Sequence, residues 1–187
     1  SKVYAVIWTT TPWTLPANVA IAVSPEFEYS WVQVNEEVYL MASGLIESVM
    51  KQCKIEDEYK VLAKIKGADL SGMVFAPFID RQSPVVTADY VTLEQGSGCV
   101  HTAPGHGQDD FETGMRCKLP IISPVDASGK FTSEAGKYEG MLVHDANVPI
   151  IKDLAASGKL LGNGSIRHQY AHCWRCKNPI IYRATEQ

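Results

Sequence analysis

The sequence predicts a β-rich α/β fold, with a barrel-like core decorated by about three helices. Short apolar runs alternate with polar positions through much of the chain. Gly and Pro punctuate those runs at short intervals. Three further stretches space their apolar residues at helical period.

The elements follow in order. Residues 3–7 form an apolar run that reads as a buried strand, ending in Trp8-Thr9-Thr10-Thr11-Pro12-Trp13-Thr14-Leu15-Pro16-Ala17-Asn18. Residues 18–23 alternate as a strand and stop at Ser24-Pro25. Residues 29–34 and 38–42 flank Asn35-Glu36-Glu37, a hairpin signal. Leu45, Ile46, Val49 and Met50 fall on one helical face within 44–53. Residues 59–66 alternate again. Gly67, Gly72, Pro77 and Pro84 then mark a loop-rich middle, with short strands expected at 85–87 and 90–93.

Gly96-Ser97-Gly98 leads into a buried strand at 99–103, followed by a sharp turn at 104–107. Residues 109–117 read as a helix with two acids in its first turn, where the helix dipole favours negative charge. Ile121, Ile122 and Val125 suggest a strand fragment. Residues 146–156 form a third helix, stopped by Gly158. In the tail, strands are expected at 165–170 and 179–183, around Cys173-Trp174-Arg175-Cys176.

The 187 residues, 45% of them apolar, suit one domain with a substantial core. No apolar run is long enough to cross a bilayer, so no membrane partner is expected, and the start carries no secretory signal. The chain starts at Ser1 and breaks off at Gln187, which reads as a fragment of a longer protein. Net charge is −4. A domain that grips nucleic acid alone is usually basic, so an RNA partner would be held mainly by other parts of a larger molecule. Five unevenly spaced cysteines imply reduced thiols in a cytosolic setting and no disulfide framework.

Two loops carry the chemistry. Three consecutive threonines are not nucleophiles without a neighbouring base. They can orient a water and, with backbone N–H groups, bind a carbonyl oxygen; the plainer reading is a strand end. Asp109 and Asp110 can pair with a substrate ammonium, or can simply favour the helix start. His101, on an apolar strand, fits a core histidine as well as a site residue. For His106, base, ligand and solvated loop residue all stay open. The spacing of His101, His106, Asp109 and Asp110 lacks the pairing of a metallohydrolase cluster.

The first loop, together with Gly98-Cys99-Val100-His101-Thr102-Ala103-Pro104-Gly105-His106-Gly107-Gln108-Asp109-Asp110-Phe111 and the tail from Cys173 to Thr185, resembles the editing domain of isoleucyl-tRNA synthetases. The likeness covers essentially the whole chain and is of bacterial or organellar type. It implies a closed barrel-like core and a single editing domain over 1–187. Residues 165–187 would then lead back to the synthetase body, in a bacterial cytoplasm or an organellar matrix or stroma. The aminoacylation signatures are absent, so this piece would not charge tRNA.

The implied activity is proofreading: hydrolysis of valine wrongly joined to isoleucine tRNA, with valyl-adenylate as a further substrate. The implied partners are the 3′ end of the aminoacylated tRNA and the rest of the synthetase, and the fragment itself would be monomeric. Carried over by position, Thr9, Thr10, Thr11 and Asp110 are the catalytic set. Asp110 would hold the α-ammonium, and the threonines the ester, the terminal adenosine and the water. His101, Asn18, Trp8 and Trp13 would bind substrate, with His101 excluding isoleucine. No cofactor is implied for editing. Cys173 and Cys176 form half a zinc knuckle that only the full-length enzyme would complete. A different reading is a non-catalytic RNA-end or zinc-ribbon module dependent on those two cysteines.

Overall fold

The structure is a computed structural model that describes residues 2–165 and 169–185. Its strands sort into two four-stranded sheets. The first has the order β1 (Val3–Ala5), β4 (Glu37–Ala42), β3 (Glu28–Val34), β5 (Tyr59–Lys66). The second has the order β6 (Val74–Phe75), β7 (Ser83–Thr87), β2 (Ala20–Val23), β8 (Cys99–Thr102). Both are mixed: β1 runs parallel to β4 and β2 parallel to β7, while the other neighbours are antiparallel.

Local sequence explains the pieces. The β3–β4 hairpin closes with Val34 opposite Glu37. Asn35 takes a left-handed φ of 53°, which its short polar side chain tolerates. β2 is Ala-Ile-Ala-Val with every residue buried, because it has a neighbouring strand on each edge and is covered on both faces. Helix α1 (Ile46–Gln52) buries Ile46, Val49 and Met50 against a core that includes Val23, Tyr29, Leu40 and Met41. A second core gathers Trp13, Leu15, Phe131 and Tyr138 with Ile150 of helix α3 (Asn147–Ala156). Helix α2 (Gln108–Cys117) follows β8.

The sheets meet along one seam. Past β1, Trp8 makes a single parallel bridge to Val100 of β8. The Ala42 N–H donates to the Ser97 carbonyl at 2.8 Å, and the Ser97 hydroxyl donates to the Val6 carbonyl. Gly98 is required here: its φ is +77°, and a Cβ would lie 2.4 Å from that of Ala42.

The closed barrel expected from the sequence is not formed by these ladders. Among the described residues no strand pairing joins β5 to the second sheet. β5 is an almost wholly exposed edge carrying Lys60, Lys64 and Lys66, charges that discourage edge pairing. Two other expectations also change. Residues 90–93 form no strand, since no neighbouring strand is there to pair and the Tyr90 phenol is drawn into the site. Of the fragment at 121–125, only Val125 pairs, in an isolated bridge to Phe131. In the tail, residues 179–183 contribute one bridge, Pro179 to His172. The strand expected at 165–170 lies partly outside the described residues, as does His168.

Candidate functional site

The seam between the sheets opens into a cavity of about 520 Å³. One wall is the threonine loop. After Thr11 the chain makes a 3-10 turn, Pro12–Ala17, with Pro at its first position, where a missing N–H costs nothing. The turn is held from outside by α3: the Trp13 N–H donates to Asn147 Oδ1 at 2.9 Å. Within the loop, Thr9 Oγ1 accepts the Thr11 N–H at 2.9 Å. The Thr10 and Thr11 hydroxyls lie 3.5 Å apart, and among the described residues neither makes another hydrogen bond. Both residues line the cavity, and their hydroxyls keep capacity for a ligand or a water.

The opposite wall comes from β8 and the turn into α2. Gly114 lets α2 lie on Pro104, since a Cβ there would approach the proline ring to 2.8 Å. That contact turns Asp110 back toward the sheet. Its Oδ2 accepts the Ala103 N–H at 2.8 Å, and its Oδ1 accepts the Tyr90 hydroxyl at 3.2 Å. Burial pushes the Asp110 carboxyl above its usual range, against the pull of those two donors, and Asp109 adds to the rise. Neither ion pair among the described residues involves Asp110. Asp109, by contrast, is exposed.

His101 is 7% exposed and bonded through both ring nitrogens. Asn18 Nδ2 donates to Nδ1 at 2.8 Å. On the other side, Nε2 meets Thr14 Oγ1 at 3.0 Å. The Thr14 hydroxyl spends its proton on the Thr11 carbonyl at 2.9 Å, so it accepts from the ring. These partners select the neutral tautomer with hydrogen on Nε2. Burial first, and neighbouring His106 second, bring the His101 pKa down to about 4. With both nitrogens occupied, His101 offers the cavity bulk and not a base or a metal ligand.

His106 is half-buried, its pKa lowered chiefly by burial. Its Nδ1 donates to the Tyr182 carbonyl at 2.9 Å, and its ring meets Trp13 edge-on at 4.9 Å. That removes the solvated-loop reading.

The structure thus brings Trp8, Thr9, Thr10, Thr11, Trp13, His101 and Asp110 around one cavity. Asn18 is set apart: it is buried behind the imidazole, also donates to the Ala20 carbonyl, and does not line the space. Sequence reasoning missed Thr14 and Tyr90. Thr14 sat inside the threonine motif, yet its partner is 87 residues away. Nothing local marks Tyr90 as a partner of Asp110.

The cysteines occupy the turn of a short ribbon. Backbone N–H groups of Cys176 and Arg175 point at the Cys173 sulfur and lower its pKa, an environment that favours a thiolate. Among the described residues no three His, Cys, Asp or Glu side chains gather as a metal site. The pair fits half of a tetrahedral site and no more.

Comparison with known proteins identifies the class. The family described as "Leucyl-tRNA synthetase, editing domain" matches residues 2–157, and the chain belongs to this family of synthetase editing domains. Within it, sequence identity points to isoleucine enzymes. The chain is 57% identical over 185 residues to the isoleucine--tRNA ligase of Kosmotoga olearia, and 58% over 185 residues to that of Carboxydothermus hydrogenoformans. Each match covers 98% of this chain and 20% of the relative, so the chain spans about a fifth of the length of these ligases.

Solved structures agree on the fold. GlLeuRS-CP1 superposes with a TM-score of 0.67 at 14% identity, covering 84% of this chain and 82% of that one. The cytosolic leucyl-tRNA synthetase editing domain of P. knowlesi gives 0.64 at 12% identity, with the same coverage. At 12–14% identity these leucyl structures share the fold alone; the high sequence identity is to the isoleucine ligases.

Proposed function

We propose that this chain is the proofreading unit of an isoleucyl-tRNA synthetase, hydrolysing the ester that joins valine to isoleucine tRNA, with valyl-adenylate as a second substrate. Asp110 carries the reading. It is a largely buried carboxylate on the cavity wall, with two hydrogen-bond donors and, among the described residues, no ion-pair partner. A carboxylate out of water calls for a cation, and the α-ammonium of an aminoacyl ester supplies one.

The remaining residues then take consistent roles. The Thr10 and Thr11 hydroxyls hold the carbonyl oxygen and the attacking water, with Thr9 fixing the loop beneath them. Water adds to the carbonyl carbon, the ester C–O bond breaks, and the ribose oxygen leaves with a proton. The neighbouring ribose hydroxyl is well placed by chemistry to assist. An aminoacyl ester is already reactive, so orientation and oxyanion stabilisation account for most of what is needed. Trp8 and Trp13 are walls. His101 fills the space an extra methylene would need. One methylene is worth only about 1–3 kcal/mol in an apolar pocket, a limit for which isoleucyl-tRNA synthetase is itself the standard example. A second, steric sieve answers that limit.

We assign residues 165–187 the return path to the synthetase body. In the longer protein, Cys173 and Cys176 would supply two ligands of a zinc site completed from elsewhere; the editing chemistry proposed above uses no metal.

The test is deacylation of Val-tRNA by the Thr10→Ala and Asp110→Ala variants. Loss of about 10-fold or more is expected for each, and full activity would sink the assignment. His101→Ala should begin to hydrolyse correctly charged Ile-tRNA. An untouched Ile-tRNA would rule out the steric role.

A further inference from the structure

The tail differs in charge from the rest of the domain. No Asp or Glu lies between Asp153 and Glu186, while Lys159, Arg167, Arg175, Lys177 and Arg183 do, in a chain whose net charge is −4. The same stretch exposes large aromatic side chains: Trp174 is 76% accessible and Tyr182 63%.

Its geometry joins these features to the cavity. Residues 171–173 and 178–180 form a narrow ribbon, through Cys173 N–H to Asn178 O at 2.8 Å, Ile180 N–H to Ala171 O at 3.0 Å, and the His172–Pro179 bridge. The base of the ribbon, with Ala171, Ile180 and Tyr182, lines the cavity mouth. Its tip carries Trp174, with the Arg175 guanidinium 5.0 Å from the indole ring. The base is anchored by the His106–Tyr182 bond and by Ala184 N–H to Gly105 O at 2.8 Å. Arg183 is committed to the Val125 carbonyl, which leaves Arg175 and Lys177, among the described residues, as the Lys and Arg side chains near the tip.

We infer that this ribbon is a docking strip for single-stranded nucleic acid, holding the nucleotides just 5′ of the one whose ester enters the cavity. Exposed aromatic faces stack bases without regard to sequence, and adjacent cations meet the phosphates. A strand leaving the cavity passes Tyr182 first and reaches the Trp174–Arg175 pair next. The strip answers the difficulty an acidic domain has with a polyanion: along it basic residues stand with no acidic residue between Asp153 and Glu186 to oppose them. The inference rests on the proposed aminoacyl-ester substrate for its direction along the ribbon, but not for nucleic-acid binding itself.

The test compares two substrates in the full-length synthetase carrying this chain. With Val-tRNA, Trp174→Ala and Arg175→Ala should raise KM by roughly 5- to 150-fold, the range expected for losing a stacked base, and leave kcat unchanged. With a 3′-valyl-adenosine ester, which has no preceding nucleotides, both variants should match the unsubstituted enzyme. Equal loss on both substrates would mean that the residues are structural. No loss on either would mean that another part of the synthetase covers the strip. Both outcomes overturn the inference.

A separate measurement uses a short single-stranded RNA ending in adenosine. Its affinity should fall in the same variants, and the Arg175→Ala salt slope should be shallower by about one contact. If the unsubstituted protein binds this RNA but hydrolyses neither ester, the hydrolase reading fails and the strip survives. If it hydrolyses both esters and the variants bind RNA normally, the strip fails alone.

Discussion

The Asn18 side-chain amide donates to Nδ1 of His101 across 83 residues of sequence, at 2.8 Å, and so decides which imidazole nitrogen carries the proton. Asn18 does not line the cavity; its contact with the site is through the histidine. Replacing it with Ala leaves Nδ1 buried without a donor, at a stability cost of about 1–3 kcal/mol. It also frees the ring to change tautomer and tilt. In Asn18→Ala, the imidazole ¹⁵N shifts of His101 should move from a single Nε2–H form toward a mixture, and discrimination between valyl and isoleucyl esters should fall. Purely lower stability with unchanged ¹⁵N shifts would refute the positioning role.

The buried neutral state of His101 ties stability to pH. Its pKa is 6.5 in the unfolded chain and about 4 when folded, so the unfolded state binds the proton more readily. The stabilisation is fully present above about pH 6.5 and is lost as pH falls toward 4; the full effect is on the order of 3 kcal/mol. His106 acts with the same sign. Asp110, with a raised pKa, acts with the opposite sign, and its contribution declines as pH rises above its unfolded value. A His101→Gln variant keeps both of these and removes the first. Subtracting its urea-denaturation free energies from those of the unsubstituted chain should leave a slope confined to pH 4–6.5. A flat difference would mean that the imidazole is not held neutral.

Tyr29 ties the seam from within. Its hydroxyl donates to the Gly98 carbonyl at 2.6 Å and accepts the Ser24 N–H at 2.9 Å, with the ring fully buried. Tyr29→Phe keeps the packing and orphans both backbone groups. A loss of about 1–3 kcal/mol in chemical denaturation is expected. Because Gly98 leads directly into β8, the cavity wall should also loosen, visible as faster amide exchange at residues 99–101.

How much of this was legible in the sequence depended on the range of the interactions involved. The β3–β4 hairpin, β5 and the three helices announce themselves through periodicity and local turn residues such as Asn35 and Gly158. Sheet partition does not. β2 and β7 pair in parallel across more than sixty residues, and no local pattern says that β5 remains an open edge. Tyr90–Leu93 carries strand-like residues, but the phenol's bond to Asp110 governs its conformation. The site was legible as two motifs because each is a dense run of unusual composition. What joins them, Thr14 to His101 and Tyr90 to Asp110, are single contacts between ordinary residues far apart in the chain.

Asp110 separates function from stability most sharply. Its carboxylate is held largely out of water with two donors and, among the described residues, no ion-pair partner, and burial disfavours its charged form. Asp110→Asn removes the charge, keeps the size, and can still accept the Ala103 N–H or the Tyr90 hydroxyl through Oδ1. The folded domain should therefore be at least as stable as the unsubstituted one near pH 7, with an equal or higher Tm. Activity should move the other way. A hydrogen bond to a charged group is worth about 1.5–3 kcal/mol, so losing the ammonium contact should lower kcat/KM for Val-tRNA by roughly 10- to 150-fold. The unsubstituted enzyme should also lose activity as acid protonates Asp110, with a midpoint above the ordinary carboxylate range. An Asn variant that is both less stable and fully active would show that the carboxylate serves the fold and not the ligand.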